Sequence, residues 1–256
     1  MPGDGHHPGD VGDGVSNAQR YSLKVKTLLV HDAPEPCPYL PGQTARMPLH
    51  LPVQPLDAET FDQLLEVGTR RSGPLLYRTQ CATCQACEAI RVDVNRFTPN
   101  RTQRRAWKRN EGELVVKLGP PDLTARHLEL YNRHKLERGL SRTGDESSPR
   151  DYRTHLLQTC VDTREVQYHL DGKLVAVSIL DFGRDAVSGV YHFFDPDLEA
   201  RSLGVYSKLK EIELTRQEGR RWFYLGLYVA ECGSLSYKAA YRPHQRRVGG
   251  VWTDFE

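Results

Sequence analysis

Alternating apolar and polar positions indicate three successive strands in the second half of the chain. Residues 163–170, 173–182 and 186–194 each follow a period of two, and short segments containing Asp and Gly separate them. Side chains of a strand point alternately to its two faces, and such segments favour tight turns, so we expect an antiparallel meander. Two further strands are expected, over residues 222–229 and near 247–252.

Apolar side chains three or four residues apart predict helices in other parts of the chain. In residues 202–217 this spacing places Leu203, Tyr206, Leu209 and Ile212 on one face. A helix near 102–109 is expected to project basic side chains instead. The remaining predicted helices cover residues 58–68, 122–138, 147–160 and 235–241.

Proline shapes the first half of the chain. A strand is expected over residues 21–30, whereas residues 31–55 contain seven prolines, which argue against a helix interior or a central strand.

Residues 89–94 alternate between apolar and polar side chains, with Ile90 inward and Arg91 outward. This pattern predicts an edge strand whose arginines face solvent.

The order of these elements predicts an α+β protein. Helices, an antiparallel meander, a helix and one more strand follow each other as in a GNAT-like acyltransferase fold, preceded by a cysteine-containing subdomain. Residues 1–18 are rich in Gly, Asp and His and have almost no apolar side chains to bury, so we expect a disordered tail there. An N-terminal basic, Cys-rich subdomain over 19–118 and a C-terminal catalytic domain over 119–256 follow.

Composition and the length of apolar runs indicate where in the cell the protein is expected to act. The 256 residues are 38% hydrophobic and 27% charged, which is typical of a soluble globular protein. No apolar run approaches the roughly 20 residues that cross a bilayer, and the N-terminus lacks the basic-then-apolar order of a secretory signal. We expect a cytoplasmic monomer that makes no membrane contact.

Positive charge is concentrated in residues 91–110. Seven basic residues and the single acid Asp93 give this segment +6, whereas the whole chain totals +2. Such a segment predicts binding of a polyanion, nucleic acid first, although a solvated basic face is an alternative. Trp107 would stack on an unpaired base or anchor the helix. The candidate phosphate-binding residues are Arg91, Arg101, Arg104, Arg105, Lys108 and Arg109.

Four cysteines are candidate metal ligands. Cys81, Cys84 and Cys87 follow each other at two-residue intervals, and Cys37 lies in the proline-rich segment. Thiolates that converge from short loops hold zinc or an iron–sulfur cluster, and the spacing does not choose between them. Alternatively, one or two of these residues are small buried hydrophobes.

Three blocks of sequence carry a resemblance to a known family. The first runs from Tyr77-Arg78 through the three cysteines to Arg104-Arg105. The second comprises residues 191–197 and 202–207, and the third comprises residues 224–228 with the later Tyr237-Lys238. In this order, from about residue 26 to 252, they resemble the aminoacyl-tRNA–protein transferases, which include eukaryotic arginyl and bacterial leucyl enzymes.

The resemblance implies an enzyme that needs no coenzyme A. Such an enzyme moves an amino acid from charged tRNA to the N-terminal Asp or Glu of a protein, which marks that protein for degradation by the N-degron pathway. We expect leucine as the donor residue, with arginine next. The α-amine of the acceptor must be neutral to attack the ester, and orientation with oxyanion stabilisation supplies most of the remaining acceleration.

Site residues follow from the resemblance and the expected fold. Asp195 is the leading base candidate and Asp181 the second, with a turn or capping acid as the alternative for each. Arg78 is expected to bind the acceptor carboxylate, and the segment from Ser202 to Gly204 the terminal tRNA phosphate, unless it is a plain helix cap. The other candidates are Tyr224, Tyr237 and Lys238 for catalysis, and Tyr191, Tyr206 and Tyr228 for substrate binding, with core packing as the alternative for Tyr224, Tyr228 and Tyr237.

Two other functions fit parts of the sequence. A CoA-dependent N-acetyltransferase would have the same fold, but segment 201–205 lacks the second glycine common in such phosphate loops, and the cysteines would have no purpose. A metal-stabilised RNA-binding module without catalysis would use the cysteines and the basic segment only. Transfer from charged tRNA, compared with transfer from acetyl-CoA, separates these possibilities.

Overall fold

A computed structural model describes residues 25–141 and 144–256. The predicted tail over residues 1–18 and the start of the first predicted strand lie outside these ranges. Within them, no helix is long and apolar enough to span a bilayer.

Eight strands form the main sheet, in the order β14-β13-β7-β12-β11-β10-β9-β8. All neighbours are antiparallel except β11 and β12, which run parallel. The predicted meander is confirmed as β9, β10 and β11. The strands are β7 (Glu88–Asp93), β8 (Leu114–Gly119), β9 (Asp162–Leu170), β10 (Lys173–Phe182), β11 (Ala186–Phe194), β12 (Trp222–Tyr228), β13 (His244–Val248) and β14 (Val251–Phe255).

Two small sheets precede the main one. Four strands pair in the order β1-β4-β6-β5, and β2 pairs with β3. The expectation of no central strand among the prolines is wrong, because β4 lies inside its sheet with Pro48 just before it and Pro52 as its last residue. The strands are β1 (Thr27–His31), β2 (Pro34–Pro36), β3 (Thr44–Arg46), β4 (Leu49–Pro52), β5 (Arg70–Ser72) and β6 (Leu75–Tyr77).

Side-chain caps fix where several helices begin. Asp57 accepts a hydrogen bond from the Thr60 amide, and Asn100 forms a reciprocal capping box with Gln103. The predicted helix over 147–160 is shorter, because one α-helical turn continues as a π-helical turn over 153–157. The helices are α1 (Ala58–Glu66), α2 (Arg101–Asn110), α3 (Ala125–Glu137), α4 (Pro149–Tyr152), α5 (Leu203–Gln217) and α6 (Gly233–Ser236).

Alternate side chains of the main sheet pack on opposite layers of helices. Phe223 and Phe194 join the cluster that contains α5, whereas their neighbours Tyr224 and Phe193 join the clusters of α1 and of α3 with α4. Helix α2 packs beside α5. The sheet is therefore covered on both faces over its central strands.

Strand β7 lies inside the main sheet, so its predicted position at an edge is wrong. It pairs with β12 on one side and with β13 on the other, and Arg91 is only 6% exposed. The sequence pattern predicted one terminal strand, whereas the chain forms the hairpin of β13 and β14, which turns at Gly249-Gly250, two residues with positive φ. Strand β13 of this hairpin covers the second edge of β7. The main sheet thus crosses the predicted domain boundary at residue 118.

A buried ion pair joins the small four-stranded sheet to the main sheet. Arg71 of β5 donates to both carboxylate oxygens of Asp181 on β10, at 2.7 and 2.8 Å, and both side chains are 1% exposed. Thr163 donates to the same carboxylate at 2.6 Å. A charge pair this deep is tolerated because its members satisfy each other.

Removing Asp181 alone should therefore destabilise the fold strongly. We expect Asp181→Ala to lower the free energy of unfolding by about 3–5 kcal/mol, because Arg71 is left charged and buried. The double variant Arg71→Met/Asp181→Ala should cost less than the sum of Arg71→Met and Asp181→Ala, because no buried charge is left without its partner. Urea denaturation measures all three, and strict additivity would contradict the coupling.

Candidate active-site cleft

The main sheet opens a cleft where its two parallel strands diverge. Strands β11 and β12 pair only over Ala186–Ser188 and Trp222–Tyr224. Beyond these residues a cavity of about 650 Å³ lies between them. Ligands of open α/β sheets bind at such carboxyl ends of parallel strands. The cavity walls include Gly189, Tyr191, His192, Ser202, Gly204, Leu225, Tyr237 and Lys238.

The N-terminus of α5 contributes to this cleft. Ser202 adopts a left-handed conformation with φ 55° and makes no side-chain cap, and the amides of Val205 and Tyr206 both bond to its carbonyl. The first amides of a helix lack intrahelical partners and favour an anion. Since Ser202 and Gly204 line the cavity, this end of α5 suits a phosphate group.

Lys238 is a buried amine in the wall of the cleft. It is 8% exposed, and its Nζ donates to the Leu227 carbonyl at 2.6 Å. Burial, followed by the nearby charges of Arg70 and Lys208, lowers the pKa of Lys238 to about 7. A large fraction of this amine is therefore neutral near neutral pH, with its lone pair available to accept a proton.

Arg70 reaches the same place from the small sheet, and no sequence pattern indicated a role for it. Its Nη1 donates to Ser188 Oγ at 2.8 Å and its Nη2 to the Gly189 carbonyl at 2.9 Å. Gly226, with φ 99°, has no side chain in the way: a Cβ there would lie 3.2 Å from Arg70 Nη2 and 3.4 Å from Lys238 Nζ. The glycine allows two cations to approach the end of β12.

A chain of polar side chains, also unassigned in the sequence, leads from the cleft into the core. His192 contacts Ser178 Oγ with Nδ1 at 2.9 Å and Ser207 Oγ with Nε2 at 3.2 Å. Ser178 donates to Glu211 at 2.6 Å, and Glu211 also binds Lys208 at 2.7 Å. Burial, followed by Lys208, holds the pKa of His192 well below its usual value, so this imidazole is neutral.

The structure places neither predicted carboxylate base in the cleft wall. Asp195 accepts bonds from Arg126 at 2.6 Å and Arg133 at 3.0 Å, and it caps the turn that follows β11. Asp181 is held by Arg71. Both side chains are held by arginines outside the cleft wall, so the structure does not support Asp195 as the leading base or Asp181 as the second.

Three predicted tyrosines also lie outside the cleft wall. Tyr224 is 3% exposed and accepts a bond from Arg91 at 2.8 Å, and Tyr206 donates to Glu111 at 2.9 Å. Tyr228 packs under the Arg246 guanidinium. Of the predicted catalytic and substrate residues, the cleft brings together Tyr191, Ser202, Gly204, Tyr237 and Lys238.

Arg91 is buried and therefore does not reach a tRNA phosphate. It forms an ion pair with Glu66 and donates to Gln245 at 2.9 Å. Its guanidinium lies 3.8 Å from the ring centre of Trp222 and 4.0 Å from that of Trp252. This predicted contact is wrong because β7 is an inner strand.

The other predicted tRNA-binding residues share the exposed side of α2. In residues 25–141 and 144–256, none of these five side chains forms an ion pair with a carboxylate. Arg109 donates to the carbonyl of Ala200, in the segment that leads to Ser202 at the cleft. The basic side of α2 is thus in contact with the segment that leads to the cleft. The members of this basic side are Arg101, Arg104, Arg105, Lys108 and Arg109.

The four predicted ligand cysteines line one small enclosed cavity. Burial, followed by the neighbouring thiols, raises the pKa of Cys87 to about 12. In the described ranges no three His, Cys, Asp or Glu side chains have the arrangement of a formed metal site. The donor set nevertheless fits a thiophilic metal, because four soft ligands come together from two loops. The four are Cys37, Cys81, Cys84 and Cys87.

Two arginines face a smaller cavity of about 280 Å³ beside the cysteines. Arg78, exposed, has no hydrogen bond or ion pair within residues 25–141 and 144–256. Arg247 of β13 donates to the Glu66 carbonyl at 3.2 Å, and burial together with Arg78 lowers its pKa. Leu227 lines this cavity, and its carbonyl holds Lys238 of the cleft. The two sites are thus joined through the end of β12.

Fold and cleft define an α+β protein with a phosphate-suited cleft at diverging parallel strands, beside cationic surfaces. Models of one family match two segments of the chain: "Arginine-tRNA-protein transferase, N terminus" over residues 35–105 and "Arginine-tRNA-protein transferase, C terminus" over 126–248. The matched segments include every sequence block that carried the resemblance.

Individual relatives agree with this assignment. A protein named Aspartate/glutamate leucyltransferase from Chromobacterium violaceum is 38% identical over 86% of this chain and 90% of its own length. Proteins of the same name from Thiobacillus denitrificans and Saccharophagus degradans are 40% and 37% identical, over 86% and 87% of this chain and 91% and 94% of their own. The chain belongs to the arginine-tRNA-protein transferase family.

Solved structures are more distant. L-PGS from Bacillus licheniformis is 15% identical with a TM-score of 0.43, over 69% of this chain and 52% of that one. FemX is 9% identical with a TM-score of 0.42, over 65% and 59%. Similarity at this level supports no conclusion about the function of this chain.

Proposed function

We propose that this chain transfers leucine from leucyl-tRNA to the N-terminal Asp or Glu of a protein. One observation carries the proposal: relatives named Aspartate/glutamate leucyltransferase are 37–40% identical over 86–87% of the chain. Family membership makes the chain an aminoacyltransferase. The product, a protein with a new N-terminal leucine, would enter degradation by the N-degron pathway in the cytoplasm.

The cleft suits this reaction. The acceptor α-amine attacks the ester carbonyl, a C–N bond forms, the ester C–O bond breaks, and the tRNA 3′ hydroxyl leaves with a proton. A parallel pair that diverges over a helix N-terminus supports a GNAT-like arrangement for the catalytic half. We assign the terminal tRNA phosphate to the amides at the start of α5 and the ester to the space between Gly189 and Leu225.

Lys238 takes the role first given to the carboxylates. The acceptor amine has an ordinary pKa of about 8 and must lose a proton to attack. The free amine then attacks, and a buried lysine whose pKa is lowered to about 7 accepts the second proton, which the attacking nitrogen loses as the amide bond forms. Tyr237, 47% exposed at the cleft, is assigned to the ester oxygen, and Tyr191 to the substrate side of the wall.

The cavity of Arg78 and Arg247 is assigned to the acceptor carboxylate. Two guanidiniums without a carboxylate partner in the described ranges offer charge-assisted bonds to Asp or Glu and none of equal strength to Asn or Gln. The cavity adjoins Lys238 through Leu227, so the side chain and the α-amine of one residue would bind close together.

The four cysteines are assigned to zinc or an iron–sulfur cluster. Bound there, either would cross-link the loop of Cys37 to the loop of Cys81, Cys84 and Cys87. Cys87 lines the acceptor cavity as well, and Arg78 lies just before this loop. The role is therefore structural, holding the carboxylate-binding arginine in place.

A pool of aminoacyl-tRNAs tests the function directly. With peptides that begin with Asp, Glu, Asn or Ala, we expect radiolabelled leucine to move to the Asp and Glu peptides in preference to arginine. Acetyl-CoA should not act as a donor. Transfer from acetyl-CoA alone, or no transfer from any charged tRNA, would overturn the proposal.

Arg78 and Arg247 should determine acceptor choice. We expect Arg78→Gln and Arg247→Gln each to lower kcat/KM for an Asp peptide about 10- to 100-fold, because a charge-assisted hydrogen bond is worth about 1.5–3 kcal/mol. The rate with the matched Asn peptide should change little. Arg184→Gln, at an arginine that is 74% exposed, serves as the control. Equal losses with Asp and Asn peptides would argue against the assignment.

The pH profile should reveal Lys238. Two groups must be deprotonated, the lysine with a pKa of about 7 and the free amine with about 8, so log kcat/KM should rise with a slope of two below pH 7. Lys238→Met should reduce that slope to one and lower kcat by about 10²- to 10⁴-fold. Lys238→Arg should behave like the Met variant, because arginine stays protonated over the whole pH range of the assay. A retained slope of two in both variants would remove Lys238 from this role.

A further inference from the structure

A further cavity lies between α2 and α5, and none of the roles assigned above uses it. This α2–α5 pocket has a volume of about 320 Å³, within the range of small-ligand sites. Its residues differ entirely from those of the cleft. Its apolar lining consists of Phe97, Pro99, Trp107, Leu209 and Ile212.

The remaining lining residues give the α2–α5 pocket a positive charge. Arg104, Lys108 and Arg216 line it together with a single acid, Glu213, which already binds Lys210 at 2.8 Å. Arg104 Nη1 donates to the Pro99 carbonyl at 2.5 Å, and this bond holds the guanidinium beside the pocket. An apolar floor with a cationic rim matches a flat ring attached to a phosphate.

The α2–α5 pocket lies along the path from α2 to the cleft. Asn110 Nδ2 at the end of α2 donates to the carbonyl of Arg201 at 2.8 Å, next to Ser202 of the cleft wall. Ile212 is two turns of α5 beyond Gly204, about 12 Å along the helix axis. A strand whose last nucleotide occupies the cleft would therefore pass this pocket with a nearby nucleotide.

We propose that the α2–α5 pocket binds one unpaired base of the single-stranded 3′ end of the donor tRNA, with Trp107 as the stacking surface. The proposal rests on the proposed function, since it requires tRNA as donor. Trp107 is half-buried, and its ring already packs near Tyr206 and under the Lys210 ammonium, 4.4 Å away. A ring held in this way loses little freedom when a base stacks on it.

Such a pocket binds tRNA without selecting its amino acid. Stacking on an aromatic ring tolerates every base, and the 3′ end is common to all tRNAs. The pocket would therefore contribute affinity and correct placement of the ester, whereas the choice of leucine must arise inside the cleft.

Abasic substitution tests the pocket. Each of the three nucleotides before the terminal adenosine is replaced in turn by an abasic residue, and binding to wild type, Trp107→Leu and Trp107→Phe is measured. We expect one abasic position to weaken binding to wild type roughly 5- to 100-fold, the range for one stacked base. Trp107→Leu should bind the intact tRNA roughly 5- to 100-fold more weakly than wild type, and the abasic substitution should weaken its binding no further. Trp107→Phe should retain most of the sensitivity to the abasic position.

A second measurement does not depend on the fold of a variant. Wild type is photo-cross-linked to tRNA that carries a thionucleotide at the sensitive position, and the modified peptide is identified by mass spectrometry. Attachment within residues 97–108 or 209–216 is expected. Attachment only elsewhere, or equal losses of binding from every abasic position in wild type and Trp107→Leu, would overturn the proposal.

Leucine transfer, assayed in parallel, separates the two levels of inference. If intact tRNA supports transfer and no abasic position couples to Trp107, only the pocket assignment fails. If no charged tRNA binds or reacts, the proposed function fails, and the pocket assignment falls with it.

Discussion

Two consecutive arginines fasten the small sheet of the N-terminal half onto the main sheet. Because neighbours on a strand point to opposite sides, Arg71 enters the core and meets Asp181, while Arg70 reaches the start of the cleft at Gly189. The cysteines and Arg78 are carried by segments that flank this small sheet. Their position relative to the cleft therefore depends in part on one short strand, β5, through the Arg71 ion pair and the Arg70 hydrogen bonds.

Positive charge around the cleft has two different uses. The arginines of α2 remain without carboxylate partners in the described residues, so they stay available to a polyanion. Arg70 and Lys208 are instead enclosed near Lys238, where their charge makes protonation of that amine unfavourable. Glu211 neutralises Lys208 but is itself fully buried, so the balance of charge beneath the cleft is set by hydrogen bonds and not by solvent.

Local patterns predicted the elements, and distant contacts decided the site. The meander over residues 162–194 was predictable because alternation and turn residues are properties of adjacent positions. Asp195 and Asp181 were misassigned because their arginine partners lie far away in the sequence, at Arg126, Arg133 and Arg71. Lys238 was found through the family resemblance, and its altered pKa needed the fold. Arg70 was missed because its strand, β5, has only three residues, too few for a periodic pattern, and its partners Ser188 and Gly189 lie far away in the sequence.

The inner position of β7 has a consequence for how the protein is made. Its two neighbours, β12 and β13, are synthesised much later than β7 itself, so both edges of the strand stay unpaired until those strands emerge. The central sheet cannot close until the ribosome has released the β13–β14 hairpin. We therefore expect this sheet to close later in folding than a sheet built from neighbouring strands, and the edges of β7 to remain open until then.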